Sequence, residues 1–281
     1  MILPYLTMLR PTQWLKNLML FFPPFLAGLV LLPGIIAKGV PLFCAFCLVS
    51  SAGYLFNDLL DREQDRHHPK KRLRAIASGL VTPCTASVVA TLLLTAGLVL
   101  AAQLSVRMLL FVAGYAALSL SYSLVLKRVP VVDLFCIAGG FLIRLQAGGD
   151  LFPVPISHWL FLTVFLLAIF LSAGKRLGEV RSMGGAVAEE HRSSLARYPD
   201  GFLDGTMYLT GAAVLVTYAM YTLQKPNLVI SVPLCLSGLL RYLLRVSSGK
   251  GGDPTEALLK DRVLFAIGCI WVVMVVWSIY R

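Results

Sequence analysis

The chain has 281 residues, of which 58% are hydrophobic and 14% charged, and its mean hydropathy is +0.79. A soluble domain is about half apolar and about a quarter charged, so this balance excludes a soluble enzyme. The net charge of +11 points away from nucleic acid, because a membrane protein concentrates Lys and Arg in its cytoplasmic loops.

Apolar runs long enough to cross a bilayer, about 20 residues each, recur along the whole chain. Nine spans are expected, over residues 13–32, 38–60, 83–103, 106–126, 131–148, 155–175, 202–223, 228–246 and 257–280. The expected fold is therefore all-α, a single-domain, multi-pass bundle of nine transmembrane helices covering residues 1–281. The linkers alternate between short ones and longer, polar ones. Lys38, Arg107, Lys225 and Arg281 lie on the short-linker side and Arg144 inside a span. The other 20 of the 25 Lys and Arg residues belong to the amino terminus and the long-linker side. Positive-inside orientation puts the amino terminus and the long loops in the cytoplasm and Arg281 outside. The six cysteines sit in or beside apolar runs. The Cys44–Cys47 pair reads as small buried hydrophobes rather than a metal or redox motif.

The second span ends in Asn57-Asp58-Leu59-Leu60-Asp61-Arg62-Glu63-Gln64-Asp65. With Asn57 at zero and about 100° per residue, Asp58 falls near 100°, Asp61 near 40° and Asp65 near 80°. Four polar groups thus leave one quadrant of the helix, with Glu63 opposite. Three carboxylates together call for a cation, and hard oxygen ligands suit Mg²⁺, which bridges carboxylates to substrate phosphates. Asn57, Asp58, Asp61 and Asp65 are the candidate metal ligands, with Asp58 and Asp61 the candidate catalytic residues. A solvated helix end paired to Arg62 and Arg66 is the alternative.

A basic run follows, His67-His68-Pro69-Lys70-Lys71-Arg72-Leu73-Arg74. It would hold lipid headgroups or, beside a metal motif, substrate phosphates through Lys71, Arg72 and Arg74. His67 and His68 lack metal-ligand spacing and read as loop residues. Lys16 opens the first span, and Tyr122 and Lys127 close the fourth. Asp133 and Arg144 share a face of the fifth span, roughly 16 Å apart in height, and ionisable groups in a span are functional candidates. Structural pairing to other helices is the competing reading. The sixth span closes with Lys175-Arg176-Leu177-Gly178-Glu179. Lys175, Arg176 and Glu179 repeat the spacing of Asn57, Asp58 and Asp61, now with mainly positive charge.

At these residues the chain resembles the UbiA superfamily of intramembrane prenyltransferases, in span count, orientation and the Asn57-to-Asp65 motif. The resemblance implies a nine-helix bundle whose cytoplasmic polar pocket opens into a lipid-facing tunnel. It departs at the second site, where aromatic prenyltransferases of that superfamily carry another aspartate-rich motif and another Mg²⁺. Lys175-Arg176-x-x-Glu179 there resembles the decaprenyl-phosphate phosphoribosyltransferase branch. So do Arg10-Pro11-Thr12-Gln13-Trp14-Leu15-Lys16-Asn17, Gly140-Phe141-Leu142-Ile143-Arg144 and Asp261-Arg262-Val263-Leu264. That branch implies 5-phosphoribosyl 1-diphosphate as donor, a polyprenyl phosphate as acceptor, Mg²⁺ as cofactor and a bacterial cytoplasmic (inner) membrane location, with a product that feeds arabinan and cell-wall synthesis. Lys16, Lys71, Arg72, Arg74, Tyr122, Lys127, Asp133, Arg144, Lys175, Arg176 and Glu179 are the expected substrate-binding residues. A homo-oligomer is compatible with the sequence. Two other readings stay open. One is an aromatic polyprenyltransferase with a prenyl diphosphate donor, which lacks its second acid pair here. The other is a lipid-binding or transport protein, for which charges along a midplane path are expected rather than a cluster at one face.

Overall fold

A computed structural model describes residues 7–67, 71–183, 198–225 and 227–281. His68, Pro69 and Lys70 of the basic run lie outside the described residues. The elements are helical throughout, with no strand among the described residues. A 3₁₀ segment, Pro11–Phe21, leads into a short helix α1 (Phe22–Leu26). Then follow α2 (Ile35–Leu60), α3 (Arg62–His67), α4 (Pro83–Leu104), α5 (Val106–Leu124), α6 (Val132–Leu151) and α7 (His158–Met183). The carboxy-terminal part holds α8 (Phe202–Thr222), α9 (Val232–Ser247), α10 (Pro254–Lys260) and α11 (Arg262–Tyr280).

Among the described residues, seven stretches are long and apolar enough to cross a membrane: those of α2, α4, α5, α6, α7, α11 and Leu228–Ser247, which contains α9. The chain is a multi-pass membrane protein. Residues 13–32, expected as a continuous helix, are built differently. Pro11 fits a first helical turn, where an N–H has no partner anyway. Pro23 and Pro24 then lack the N–H groups a continuous helix would use, so the α-helix begins afresh at Phe22. Helix α8 is regular over 21 residues, but Asp204 and four threonines lower its apolarity. The last expected span, 257–280, divides at Asp261. Its carboxylate accepts from the Val263 and Leu264 N–H groups, both at 3.1 Å, and starts α11 anew.

Side-chain caps set several other boundaries. Thr82 accepts from Thr85 N–H at the start of α4, and Ser105 from Met108 N–H at the start of α5. Asp253 accepts from Thr255 and Glu256 N–H ahead of α10. Such caps satisfy N–H groups that a helix start leaves unpaired.

Packing follows chain order around a central space: α2 on α4 and α5, α5 on α6, α6 on α7, α7 on α8, α8 on α9 and α9 on α11. The 3₁₀ segment lies between α2 and α6. Trp14 Nε1 bonds Ser51 Oγ at 3.0 Å, and Leu20 is buried with Leu42, Phe46, Val49 and Ala147. Two close approaches depend on missing side chains. A Cβ at Gly148 of α6 would overlap the Leu20 carbonyl, and one at Gly252 would overlap the Gly174 carbonyl of α7. The loop 248–253 is thereby pressed onto α7 beside Lys175.

Gly148→Ala is expected to destabilise the protein by roughly 1–3 kcal/mol through this overlap. Thermal unfolding in detergent should show a clear fall in Tm. Gly114→Ala, where a Cβ meets nothing within 4 Å, should leave Tm near the wild-type value. Equal Tm values for the two variants would contradict the packing of the 3₁₀ segment on α6.

Candidate functional site

The helices enclose a cavity of about 810 Å³. Its polar wall carries Lys16, Asn57, Asp61, Lys127, Lys175 and Arg176, and its apolar wall includes Leu167, Leu171, Leu239 and Leu264. The acidic motif meets this space in two halves. Asn57 and Asp61, the positions at the near edge of the helix wheel, turn to Lys127. Its Nζ lies 3.1 Å from Asn57 Oδ1 and 2.5 Å from Asp61 Oδ1. Asn57 Nδ2 donates to the other Asp61 oxygen at 3.0 Å. Asp58 and Asp65, at the far edge, turn to arginines. Arg74 Nη1 donates to Asp58 at 3.0 Å and to Asp65 at 2.6 Å. Arg10 Nη2 reaches both Asp58 oxygens, at 2.6 and 2.8 Å.

The expectation that all four groups converge is therefore corrected to two pairs, the members of one lying roughly 40–100° from those of the other on the wheel. Among the described residues no three His, Cys, Asp or Glu side chains gather as a metal-ligand group. Asp58 is buried and off the cavity wall, whereas Arg10, Asp65 and Arg74 are on it. Burial raises the Asp65 pKa above its ordinary value against the pull of Arg74. Glu63 points away and pairs with Arg66 at 3.0 Å. Lys71 lines the cavity; Arg72 is exposed and does not.

A second group forms towards the carboxy-terminal end of α7. Arg176, 2% exposed, donates from Nε to Asp133 at 3.0 Å, from Nη1 to Glu179 at 3.2 Å and from Nη2 to Tyr122 Oη at 2.8 Å. The second Asp133 oxygen accepts from Tyr198 Oη at 2.6 Å, and Tyr198 accepts from Val131 N–H. Burial, and then the bond to Asp133, push the Tyr198 pKa up. Lys175 is more accessible and pairs with Asp253 at 3.0 Å. Burial alone would raise the Asp253 pKa, but Lys175, the Glu256 N–H and Lys16 hold it below the usual carboxylate range.

A third group lies deeper. Arg144 of α6 donates from Nε to Asn17 Oδ1 at 2.6 Å and from Nη1 to Gly140 O at 2.8 Å. Asp133 and Arg144, expected to share a face, thus serve different partners. Arg10, Asn17, Tyr198 and Asp253 were not singled out from the sequence. The Asp253-Pro254-Thr255-Glu256 string is a helix-start signature that marks the first position of α10. Nothing local to Tyr198 points to Asp133.

The UbiA prenyltransferase family model matches residues 21–268. The chain belongs to the UbiA prenyltransferase family. Among relatives of this UbiA chain is the decaprenyl-phosphate phosphoribosyltransferase of Mycolicibacterium smegmatis, 33% identical, with 96% of this chain and 91% of the relative covered. The protein of the same name from Corynebacterium glutamicum is 33% identical over 97% of this chain and 85% of its own length. In fold, the UbiA chain is similar to a UbiA homolog from Archaeoglobus fulgidus bound to GPP and Mg²⁺. That match has a TM-score of 0.73 at 19% identity and covers 99% of this chain and 100% of that one.

The buried ion pair gives a direct test of what the second group does for this UbiA chain. Asp133→Ala leaves a buried guanidinium short of its main counter-charge, which costs on the order of 3–5 kcal/mol. Tyr198→Phe removes one hydrogen bond, about 1 kcal/mol. Thermal unfolding should rank Asp133→Ala far below Tyr198→Phe, and similar small losses in both would show that Asp133 does not carry the Arg176 position.

Proposed function

We propose that this chain transfers 5-phosphoribose from 5-phosphoribosyl 1-diphosphate to a polyprenyl phosphate, releasing diphosphate. The observation that carries the reading is the charge of the second site. Where a second metal motif is expected of aromatic prenyltransferases, Lys175 and Arg176 stand at the cavity wall. A donor with phosphates at both ends and an acceptor that is itself a phosphate favour fixed cations there. The relatives at 33% identity, decaprenyl-phosphate phosphoribosyltransferases by name, support the same donor and acceptor.

Asn57 and Asp61 fit a Mg²⁺ site in their chemistry. Both present an oxygen to one point, which the Lys127 ammonium now occupies, and phosphate oxygens with water complete such a coordination sphere. When bound, Mg²⁺ neutralises negative charge on the diphosphate leaving group. Asp58 has a different part from the expected ligand role: it anchors Arg10 and Arg74, which present their guanidinium groups to the diphosphate. Lys127 moves from Asp61 to a phosphate oxygen. The polyprenyl phosphate is already anionic and needs little general-base help. One of its oxygens attacks C1 as the C1–O bond to diphosphate breaks, through an oxocarbenium-like state with inversion. Positioning and fixed charge supply most of the rate. The acceptor's tail leaves past Leu167, Leu171 and Leu239.

The same reading takes residues 1–281 as one transferase domain crossing a bacterial inner membrane nine times. The 3₁₀ segment with α1 and helix α8 supply the two further crossings. The amino terminus is cytoplasmic, following the basic residues.

The test is transfer itself. Protein in lipid nanodiscs with Mg²⁺ and polyprenyl phosphate should move label from phosphoribosyl diphosphate into lipid and should not use a short prenyl diphosphate. A charge-assisted contact contributes about 1.5–3 kcal/mol, so Lys175→Ala should weaken donor binding by about tenfold or more and acceptor binding less. Transfer from the prenyl diphosphate alone would replace this reading with that of an aromatic prenyltransferase.

A further inference from the structure

Two arginines are buried in the cavity wall, and the chain treats them differently. Arg176 is neutralised by Asp133 and Glu179. Arg144, 4% exposed, has no carboxylate within ion-pair distance among the described residues. Its guanidinium is held by neutral acceptors, the Asn17 and Gly140 oxygens, and by the faces of Tyr115 at 4.2 Å and Phe46 at 5.7 Å. Asn17 is fixed in turn. Its Nδ2 donates to Cys47 Sγ at 3.2 Å and Ser50 Oγ at 3.5 Å, so its carbonyl is turned to Arg144. An uncompensated buried cation is costly, yet this one is rigidly built and lines the cavity. Lys16 lines the same cavity. Among the described residues the deep part of the cavity wall therefore carries one guanidinium, that of Arg144, without a carboxylate against it.

We infer that Arg144, oriented by Asn17 and assisted by Lys16, is the subsite for the phosphate at the 5-position of the donor sugar, and that it selects this donor against a prenyl diphosphate. The inference rests on the phosphoribosyl reading above. A dianion supplies the missing counter-charge through charge-assisted bonds to the guanidinium. Depth favours the donor over the acceptor. Arg144 bonds the carbonyl of Gly140, seven residues and roughly 10 Å along α6 from Asp133. That places it below the layer of Asp133, Arg176 and Tyr122, in the same cavity as the Asn57–Asp61 pair. An apolar tail there would bury a guanidinium against hydrocarbon, a repulsive element of the kind that creates specificity.

Affinities for phosphoribosyl diphosphate and for ribosyl 1-diphosphate, which lacks the 5-phosphate, are measured with Mg²⁺ on the full chain in nanodiscs. The wild type should prefer the 5-phosphorylated donor by about tenfold or more. Arg144→Met should bind the two alike, with the apparent KM for polyprenyl phosphate little changed. Should Arg144→Met not fold, Arg144→Lys and Lys16→Met carry the test, and each should lower the preference. A folded Arg144→Met protein that keeps the wild-type preference overturns the inference, as does an unchanged preference in both substitutes. A rise in acceptor KM with the preference intact assigns Arg144 to the lipid phosphate instead, and also overturns it. A wild type that binds prenyl diphosphate but not phosphoribosyl diphosphate sinks the phosphoribosyl reading itself, which separates the two failures.

Discussion

A charge inside a lipid-embedded bundle is tolerated only when something of opposite sign, or a dense set of dipoles, stands against it. This constraint orders the polar end of the cavity. Asp58 and Asp65 are tied to Arg74 and Arg10, Asp61 to Lys127, Asp133 to Arg176, and Asp253 to Lys175. Apart from the local Arg74 contacts, these pairs tie separate elements together: the segment before the first helix to α2, the end of α2 to the link after α5, α6 to α7, and α7 to the loop before α10. The ion pairs that ready the cavity for anions are also the ties that hold its walls in register.

Within that network the cations differ in freedom. Arg176 is fixed in the cavity wall by three partners, and its five N–H donors leave room for a ligand oxygen beside them. Lys127 and Lys175 both line the cavity and each holds one carboxylate, Asp61 and Asp253, so on the proposed reading an arriving phosphate can exchange for that partner. Arg144 stands apart because its partners are neutral. Among the described residues, carboxylate-paired cations at the polar end of the cavity give way to one with neutral partners at depth, which gives the cavity a direction.

Much of this was legible in the sequence, for identifiable reasons. Long apolar runs gave helices at nearly the expected places, because length and hydropathy determine a span with little help from tertiary contacts. Spacing put Asn57 and Asp61 beside each other and Lys175, Arg176 and Glu179 on one helix end. The wheel also contained the split of the acidic motif, since Asp58 and Asp65 lie at its far edge, but which cation each edge would meet depends on chain segments 9 to 70 residues away. Arg10 and Asn17 stood in a noted motif without a role, because their partners are Asp58 and Arg144. The division of residues 257–280 at Asp261 was hidden by the apolar character on both sides, although an Asp two residues before Val263 is a usable cap. Tyr198 is joined to Asp133 by tertiary packing alone.

The central claim is that fixed cations at the end of α7 take the place of a second metal ion. Counting metal ions tests it most directly. With Mn²⁺ in place of Mg²⁺ and phosphoribosyl diphosphate bound, electron paramagnetic resonance on the full chain in nanodiscs should report one magnetically isolated ion per chain. Two dipole-coupled ions per chain would contradict the account, since they would place a metal where Lys175 and Arg176 are held to do its work.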